Sequence, residues 1–162
     1  MAIAQIEKVM EGIVVLVADN NPYMRRLTRM MLTNLGIKSI YEASDGVATI
    51  DAIRTVNPDV MILEWELPIL DGREVMRIVR SPGVFPKASL PVIMVSDHGL
   101  RSRVTTAVRL GVHEFMVKPM SPKTLQQRLL GIVLNPRAMI RAGKYYIPMP
   151  RRRVDLKEFL YV

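Results

Sequence analysis

Hydrophobic and polar positions alternate along this chain in a repeating order of short apolar runs and longer amphipathic stretches. Residues 13–18 read Ile-Val-Val-Leu-Val-Ala, an unbroken, valine-rich run between polar neighbours. A run so short and β-branched fits a strand buried on both faces, as in parallel sheets. Asp19-Asn20-Asn21-Pro22 follows, and Pro22 is placed to open a helix, where its missing N–H costs nothing. Met24, Leu27, Thr28, Met31, Leu32 and Leu35 then recur at three- and four-residue steps, one apolar face of a helix that Gly36 closes. Its opposite face carries Arg25, Arg26 and Arg29.

The alternation repeats. Residues 38–43 form a weaker strand pattern, and 45–56 a helix around Ile50 and Ile53. Further strands are predicted over 60–63, 90–95 and 114–117. The helices between and after them bury Val75, Ile78 and Val79, then Val104, Ala107 and Val108, then Leu125, Leu129, Ile132 and Val133. Five strand–helix pairs in succession predict an α/β fold, an open five-stranded parallel sheet with right-handed crossovers and helices on both faces. Ile3, Ile6, Val9 and Met10 form a helical stripe too short to stand without docking. The units read as an N-terminal extension (1–11), one folded domain (12–134) and a basic C-terminal tail (135–162) with no core of its own.

Composition narrows the classes. Of 162 residues, 49% are apolar and 23% charged, which excludes global disorder. The absence of cysteine excludes thiolate metal sites and thiol catalysis. No apolar run approaches a bilayer span, and Glu7, Lys8 and Glu11 stand where a signal peptide would be apolar, so a cytoplasmic protein without a membrane role is expected. The net charge of +8 raises nucleic acid as a partner. Its distribution weakens that reading: residues 1–134 carry 16 basic and 13 acidic residues, whereas 135–162 carry 7 and 2. The surplus is mostly a property of the tail, whose Arg151-Arg152-Arg153 run fits a solvated charge cluster.

Chemistry in such a sheet collects at the carboxyl ends of the strands. Those ends carry Asp19, Glu64, Ser96 and Lys118-Pro119. Together with Pro58-Asp59-Val60-Met61-Ile62-Leu63-Glu64, Leu67-Pro68-Ile69-Leu70-Asp71-Gly72 and Phe115-Met116-Val117-Lys118-Pro119, they make residues 12–134 resemble the receiver domain of bacterial two-component response regulators. The resemblance implies a flavodoxin-like strand order 2-1-3-4-5. It also implies a phosphoryl transfer from a kinase histidine to a carboxylate after the third strand, assisted by magnesium held near the first. Ser96 and Lys118 match the residues that grip the phosphoryl oxygens, and Phe115 the aromatic switch. A cis peptide is expected before Pro119.

Two positions depart from the family pattern. Glu64 stands where the family has the acceptor aspartate, and Asn20 replaces one acid of the strand-one pair. A glutamate reaches about 1.5 Å farther, and a misplacement of about 1 Å can cost roughly a hundredfold in rate. A magnesium site built from Asp19, Asn20, Glu64 and the Glu66 backbone is therefore expected to be weak or absent. Three readings of Glu64 stay open: imitation of phosphoaspartate through hydrogen bonds from Lys118 and Ser96, a structural carboxylate–lysine pair, and residual phosphorylation.

Partner contacts are expected at Arg25, Arg26 and Arg29, where the resemblance implies kinase docking, and at Trp65, which either faces the crevice or buries against a helix. Arg101, Arg103 and Arg109 fall on the family's output face. The tail resembles, weakly, basic extensions of single-domain response regulators, and Tyr145 and Tyr146 are expected to anchor it on its own domain or on a second copy. His98 and His113 read as surface histidines, and Asp71-Gly72 as a turn and helix cap. The function implied is a stand-alone receiver, not an enzyme, partnered by a histidine kinase or other two-component protein and forming a homodimer. Nucleic-acid binding through the tail is the alternative.

Overall fold

The computed structural model describes residues 3–150 except 82, 84 and 86. Its elements run α1 (Ile3–Gly12), β1 (Val14–Ala18), α2 (Pro22–Asn34), β2 (Ser39–Ala43), α3 (Gly46–Val56), β3 (Val60–Glu64), α4 (Gly72–Val79), β4 (Val92–Ser96), α5 (Arg101–Arg109), β5 (Glu114–Val117), α6 (Pro122–Leu134), β6 (Met139–Ala142) and β7 (Tyr145–Pro148). The first five strands form one sheet in the order β2-β1-β3-β4-β5, every pairing parallel. The expected α/β architecture and strand order are both present. No helix among the described residues is long and apolar enough to cross a membrane.

Local chemistry explains where the helices begin. Asn21 accepts hydrogen bonds from the Tyr23 and Met24 N–H groups while Pro22 supplies the first helical residue of α2. Asp45 caps α3, Ser121 caps α6, and Asp71 with Glu74 forms a reciprocal capping box on α4. The two-residue period of the all-apolar strands then builds two cores. Leu16, Met61, Leu63 and Met94 pack with Val75, Val79 and Phe85 on one face. Val15, Val17, Ile62 and Ile93 pack with Leu125, Leu129 and Ile132 on the other.

Several expectations change. The N-terminal stripe is a real helix, docked through the fully buried Met10. β4 starts at Val92 because Pro91 has no N–H to give the ladder, although its carbonyl still accepts from Met61 at 2.9 Å. Val108, read as a core residue, is 42% exposed on the outer side of α5.

The largest difference is in the tail. Met139–Ala142 and Tyr145–Pro148 pair as an antiparallel hairpin around Gly143-Lys144, with Gly143 at φ +60°, as a two-residue hairpin turn requires. Ala142 and Ile147 are buried against Ile140 and Tyr145, a small cluster where a tail without any core was expected. The hairpin docks on its own domain: the Arg137 guanidinium donates to the His113 carbonyl. Gly111 lies so close to the Tyr146 carbonyl that a Cβ there would stand 2.4 Å from it. Tyr145 and Tyr146 are half-buried in this contact, the first of the two placements expected for them. The Arg151-Arg152-Arg153 run lies outside the described residues.

Candidate functional site

Strand ends and the loops after them bring Asp19, Glu64, Ser96 and Lys118 into one crevice. Asp19 follows β1 and is 5% exposed. Its Oδ1 accepts the Asn21 N–H at 2.9 Å, which folds the loop back, and its Oδ2 accepts from Lys118 Nζ at 3.0 Å. Glu64 ends β3 and is 4% exposed; its Oε1 takes a long bond of 3.4 Å from the Glu66 N–H, and its Oε2 is in contact with the Lys118 ammonium. Apart from that ammonium, Oε2 has no partner among the described residues. Lys118 thus bridges two buried carboxylates from one side of the Lys118–Pro119 peptide, which is cis as expected.

The electrostatics follow from burial. Desolvation raises the Glu64 carboxyl above its ordinary value, outweighing the pull of Lys118. Burial pushes the Lys118 ammonium down, but hydrogen bonds and charge from Glu64 and Asp19 together more than reverse this and hold it above its ordinary value. The trio is therefore an internal ion cluster with one negative charge in excess when all three groups are ionised.

Ser96 departs from its expected role. It is fully buried, and its Oγ accepts from the His98 N–H at 3.1 Å and from Arg103 Nη1 at 2.8 Å; it makes no bond to Glu64. Arg103 also pairs with Glu66 Oε1 at 3.1 Å and stacks over the Trp65 ring at 5.0 Å. Sequence reasoning placed Arg103 on an output face and missed this contact. The available signal was its spacing, seven residues after Ser96 in the first turn of the following helix.

Trp65 is 6% exposed, so it does not present its ring to a partner as the sequence left open. It lies edge-on to Phe115, with centroids 6.4 Å apart and planes at 76°, and Arg73 covers it at 5.5 Å. Two guanidiniums and a phenyl ring enclose it, which is why it buries. Phe115 is half-buried in the same packing. Gly72 is more than part of a cap: a Cβ there would stand 2.6 Å from the Glu64 carbonyl and 3.1 Å from Trp65 Cα. Only glycine lets the N-terminus of α4 rest against the strand that carries Glu64.

The remaining candidates divide. Arg25 donates to the Asp19 carbonyl at 2.7 Å and pairs with Glu42 at 3.4 Å; Arg29 donates to the Ile40 carbonyl at 3.1 Å and reaches Glu42 at 3.5 Å. Both are tied to their own sheet edge, leaving Arg26 exposed. His98 is exposed, but His113 is half-buried, with Nδ1 accepting the Val92 N–H at 3.3 Å. That bond to a strand's first N–H corrects the surface reading of His113.

Magnesium would have to use Asp19, Glu64 and the Glu66 backbone. The donors fit it poorly: both carboxylates already share one ammonium, each also accepts a backbone N–H, and Asn20 is neutral and exposed. Among the described residues no group of three acidic or histidine side chains is arranged to hold a metal ion.

Comparison with known proteins follows the same lines. The response regulator receiver domain family model matches residues 15–130. The chain is 36% identical over 116 residues to a chemotaxis protein CheY homolog of Campylobacter jejuni, covering 70% of this chain and 87% of that protein. The receiver domain of the Francisella response regulator 1452 has a TM-score of 0.66 at 27% identity, covering 73% of this chain and 93% of the other. The receiver domain of a Pseudomonas aeruginosa PAO1 sensor histidine kinase, which has magnesium coordinated in its active site cleft, gives a TM-score of 0.66 at 23% identity, with coverages of 76% and 98%.

Proposed function

The chain belongs to the response regulator receiver family, whose members are signalling modules of two-component systems, and we propose that it is a member that signals without phosphotransfer to its strand-three carboxylate. The observation that carries this reading is the engagement of the site's own groups: Glu64 is committed to Lys118, and the Ser96 hydroxyl to Arg103. In-line displacement at a phosphoryl group needs a freely placed acceptor oxygen and donors for the transferred oxygens. Here the acceptor carries an extra methylene, and both acceptor sites of the Ser96 hydroxyl are taken by Arg103 and the His98 N–H, which fixes its position away from Glu64.

Glu64, Lys118 and Asp19 act as a structural cluster that holds the crevice, with magnesium bound weakly or not at all. Imitation of the phosphorylated state is the less favoured reading, because it calls for a Ser96–Glu64 bond and Ser96 bonds elsewhere. Output then runs through protein contacts with a histidine kinase, another two-component protein or a second copy of the chain. The basic surplus of residues 135–162 favours one competing reading, nucleic-acid binding, whose signature is a steep loss of affinity with salt.

The test is incubation of the full chain with labelled acetyl phosphate and magnesium, beside Glu64→Asp. The wild-type chain is expected to take no stable label, and stable label on it overturns the proposal. Label on Glu64→Asp alone identifies the extra methylene as the block.

A further inference from the structure

At the opposite end of the sheet, away from the crevice, the docked hairpin closes a second concave site. The C-terminal ends of α4 and α5 and the start of β7 enclose a cavity of about 270 Å³ whose lining includes Arg77, Arg80, Arg109, Lys144, Met76 and Tyr146. Arg80 is 7% exposed and donates to three carbonyls, Gly111 at 3.0 Å, Ala88 at 2.7 Å and Leu90 at 2.6 Å. These bonds engage each of its three nitrogens but supply no counter-charge. Burial pushes its guanidinium down to about 9, which leaves it protonated at neutral pH. None of the four cations pairs with a carboxylate among the described residues.

The local bookkeeping of charge is one-sided. Arg77 and Arg109 occupy the last turns of α4 and α5, where each helix end offers at most about half a negative charge. Two such ends leave a clear surplus from four cations, of which Arg77 and Arg109 are suited to forked recognition of phosphate oxygens while Arg80 adds buried charge. Leu110 and Tyr146, both half-buried, add apolar surface to the lining. A cavity just under the roughly 300 Å³ lower bound of typical ligand sites admits a phosphorylated body up to about the size of a nucleoside monophosphate and not a larger one.

We propose that this cavity binds a small, singly phosphorylated ligand, its phosphate held by Arg77, Arg109 and Lys144 above the buried charge of Arg80, and its body against Leu110 and Tyr146. The site is separate from the Glu64 crevice by the length of β4, about 16 Å, since Leu90 lies before that strand and Ser96 ends it. It exists only when the hairpin is docked, because Lys144 and Tyr146 come from the hairpin and the other lining residues named here from the receiver.

The experiment is calorimetric titration of the full chain at low salt with adenosine monophosphate, inorganic phosphate and adenosine as separate probes. Arg109→Ala and Lys144→Ala are run alongside, with circular dichroism confirming their fold. The monophosphate is expected to bind, and each variant to weaken it about tenfold, the worth of one charge-assisted hydrogen bond. Equal binding of inorganic phosphate supports the site and assigns recognition to the phosphate; tighter binding of the monophosphate supports it and adds the ring. Adenosine binding as well as its monophosphate, variants without effect, or no heat from either phosphate at millimolar concentration overturns the proposal. So does binding that appears only in a full chain carrying Asp155→Asn and Glu158→Gln, which would show that these two carboxylates of the otherwise basic tail already fill the cavity.

Discussion

Replacing Lys118 by methionine keeps the aliphatic stem and removes the charge that joins Asp19 to Glu64. The ammonium touches Asp19 at 3.0 Å and also the Glu64 carboxylate, and the three side chains are 10%, 8% and 5% exposed. At that separation and an effective dielectric of about 20, one contact has a gross Coulomb energy of about 5 kcal/mol. Desolvation of each ion opposes it by several kcal/mol, so the intact cluster adds little net stability. Removing its only cation is different, because two buried carboxylates are left facing each other. The expected cost is about 3–5 kcal/mol near neutral pH, a fall in Tm of about 10 °C for a domain of this size.

The sign of the pH dependence separates this account from simple loss of packing. Glu64 is raised above its ordinary 4.5 in the wild type, so its ionisation costs the fold some stability as pH rises through that raised value. Without Lys118 the carboxyl rises further and the loss grows. Acidification to about pH 5 therefore recovers part of the variant's deficit, as does adding Glu64→Gln. Lys118 itself is held above 10.5, so its contribution is complete below that value and fades as pH rises through the higher folded one. Urea denaturation near neutral pH and at about pH 5 reads the first effect, and denaturation of the wild type above 10.5 reads the second. A Lys118→Met chain within about 0.5 kcal/mol of wild type near neutral pH, the range of ordinary surface changes, would refute the ion-cluster account.

Two further outcomes are expected. Gly111→Ala forces a Cβ to 2.4 Å from the Tyr146 carbonyl at a residue with φ +89°, so the hairpin should undock; hydrogen exchange over residues 139–148 should accelerate by about tenfold or more, while strands β1 and β3 keep their protection. Arg103→Ala removes one of the guanidiniums stacked on Trp65, a contact worth about 0.5–1 kcal/mol, and frees Ser96 and Glu66. Because Trp65 is the chain's single tryptophan, its emission should shift to the red, and an unchanged spectrum would contradict the stacked geometry.

The crevice was legible in the sequence because a parallel sheet brings the carboxyl ends of its strands together. Asp19, Glu64, Ser96 and Lys118 each follow a short apolar run, so their convergence follows from topology alone. The partner of Ser96 was not legible. Which of two nearby groups a hydroxyl bonds depends on where a long side chain from the next helix ends, and strand and helix periods do not specify that. Arg103 wins the contact because Glu66 and the Trp65 ring hold its guanidinium in place. His113 and Trp65 were misjudged or left open for a related reason: their burial depends on neighbours from other segments, Val92 in one case and Arg73, Arg103 and Phe115 in the other.

By itself the sequence determined the period of the strands and helices in the receiver, the caps that start α2, α3, α4 and α6, and the positive charge of the last 28 residues. Those are local properties, set by residues a few positions apart. Only the tertiary structure decided that part of this basic segment folds into a hairpin, that it seats on Gly111, and that its Lys144 meets Arg77, Arg80 and Arg109 around one cavity. The arginines are at least 30 positions from the hairpin in sequence, and charges so far apart along the chain reveal nothing of each other until packing removes the water between them.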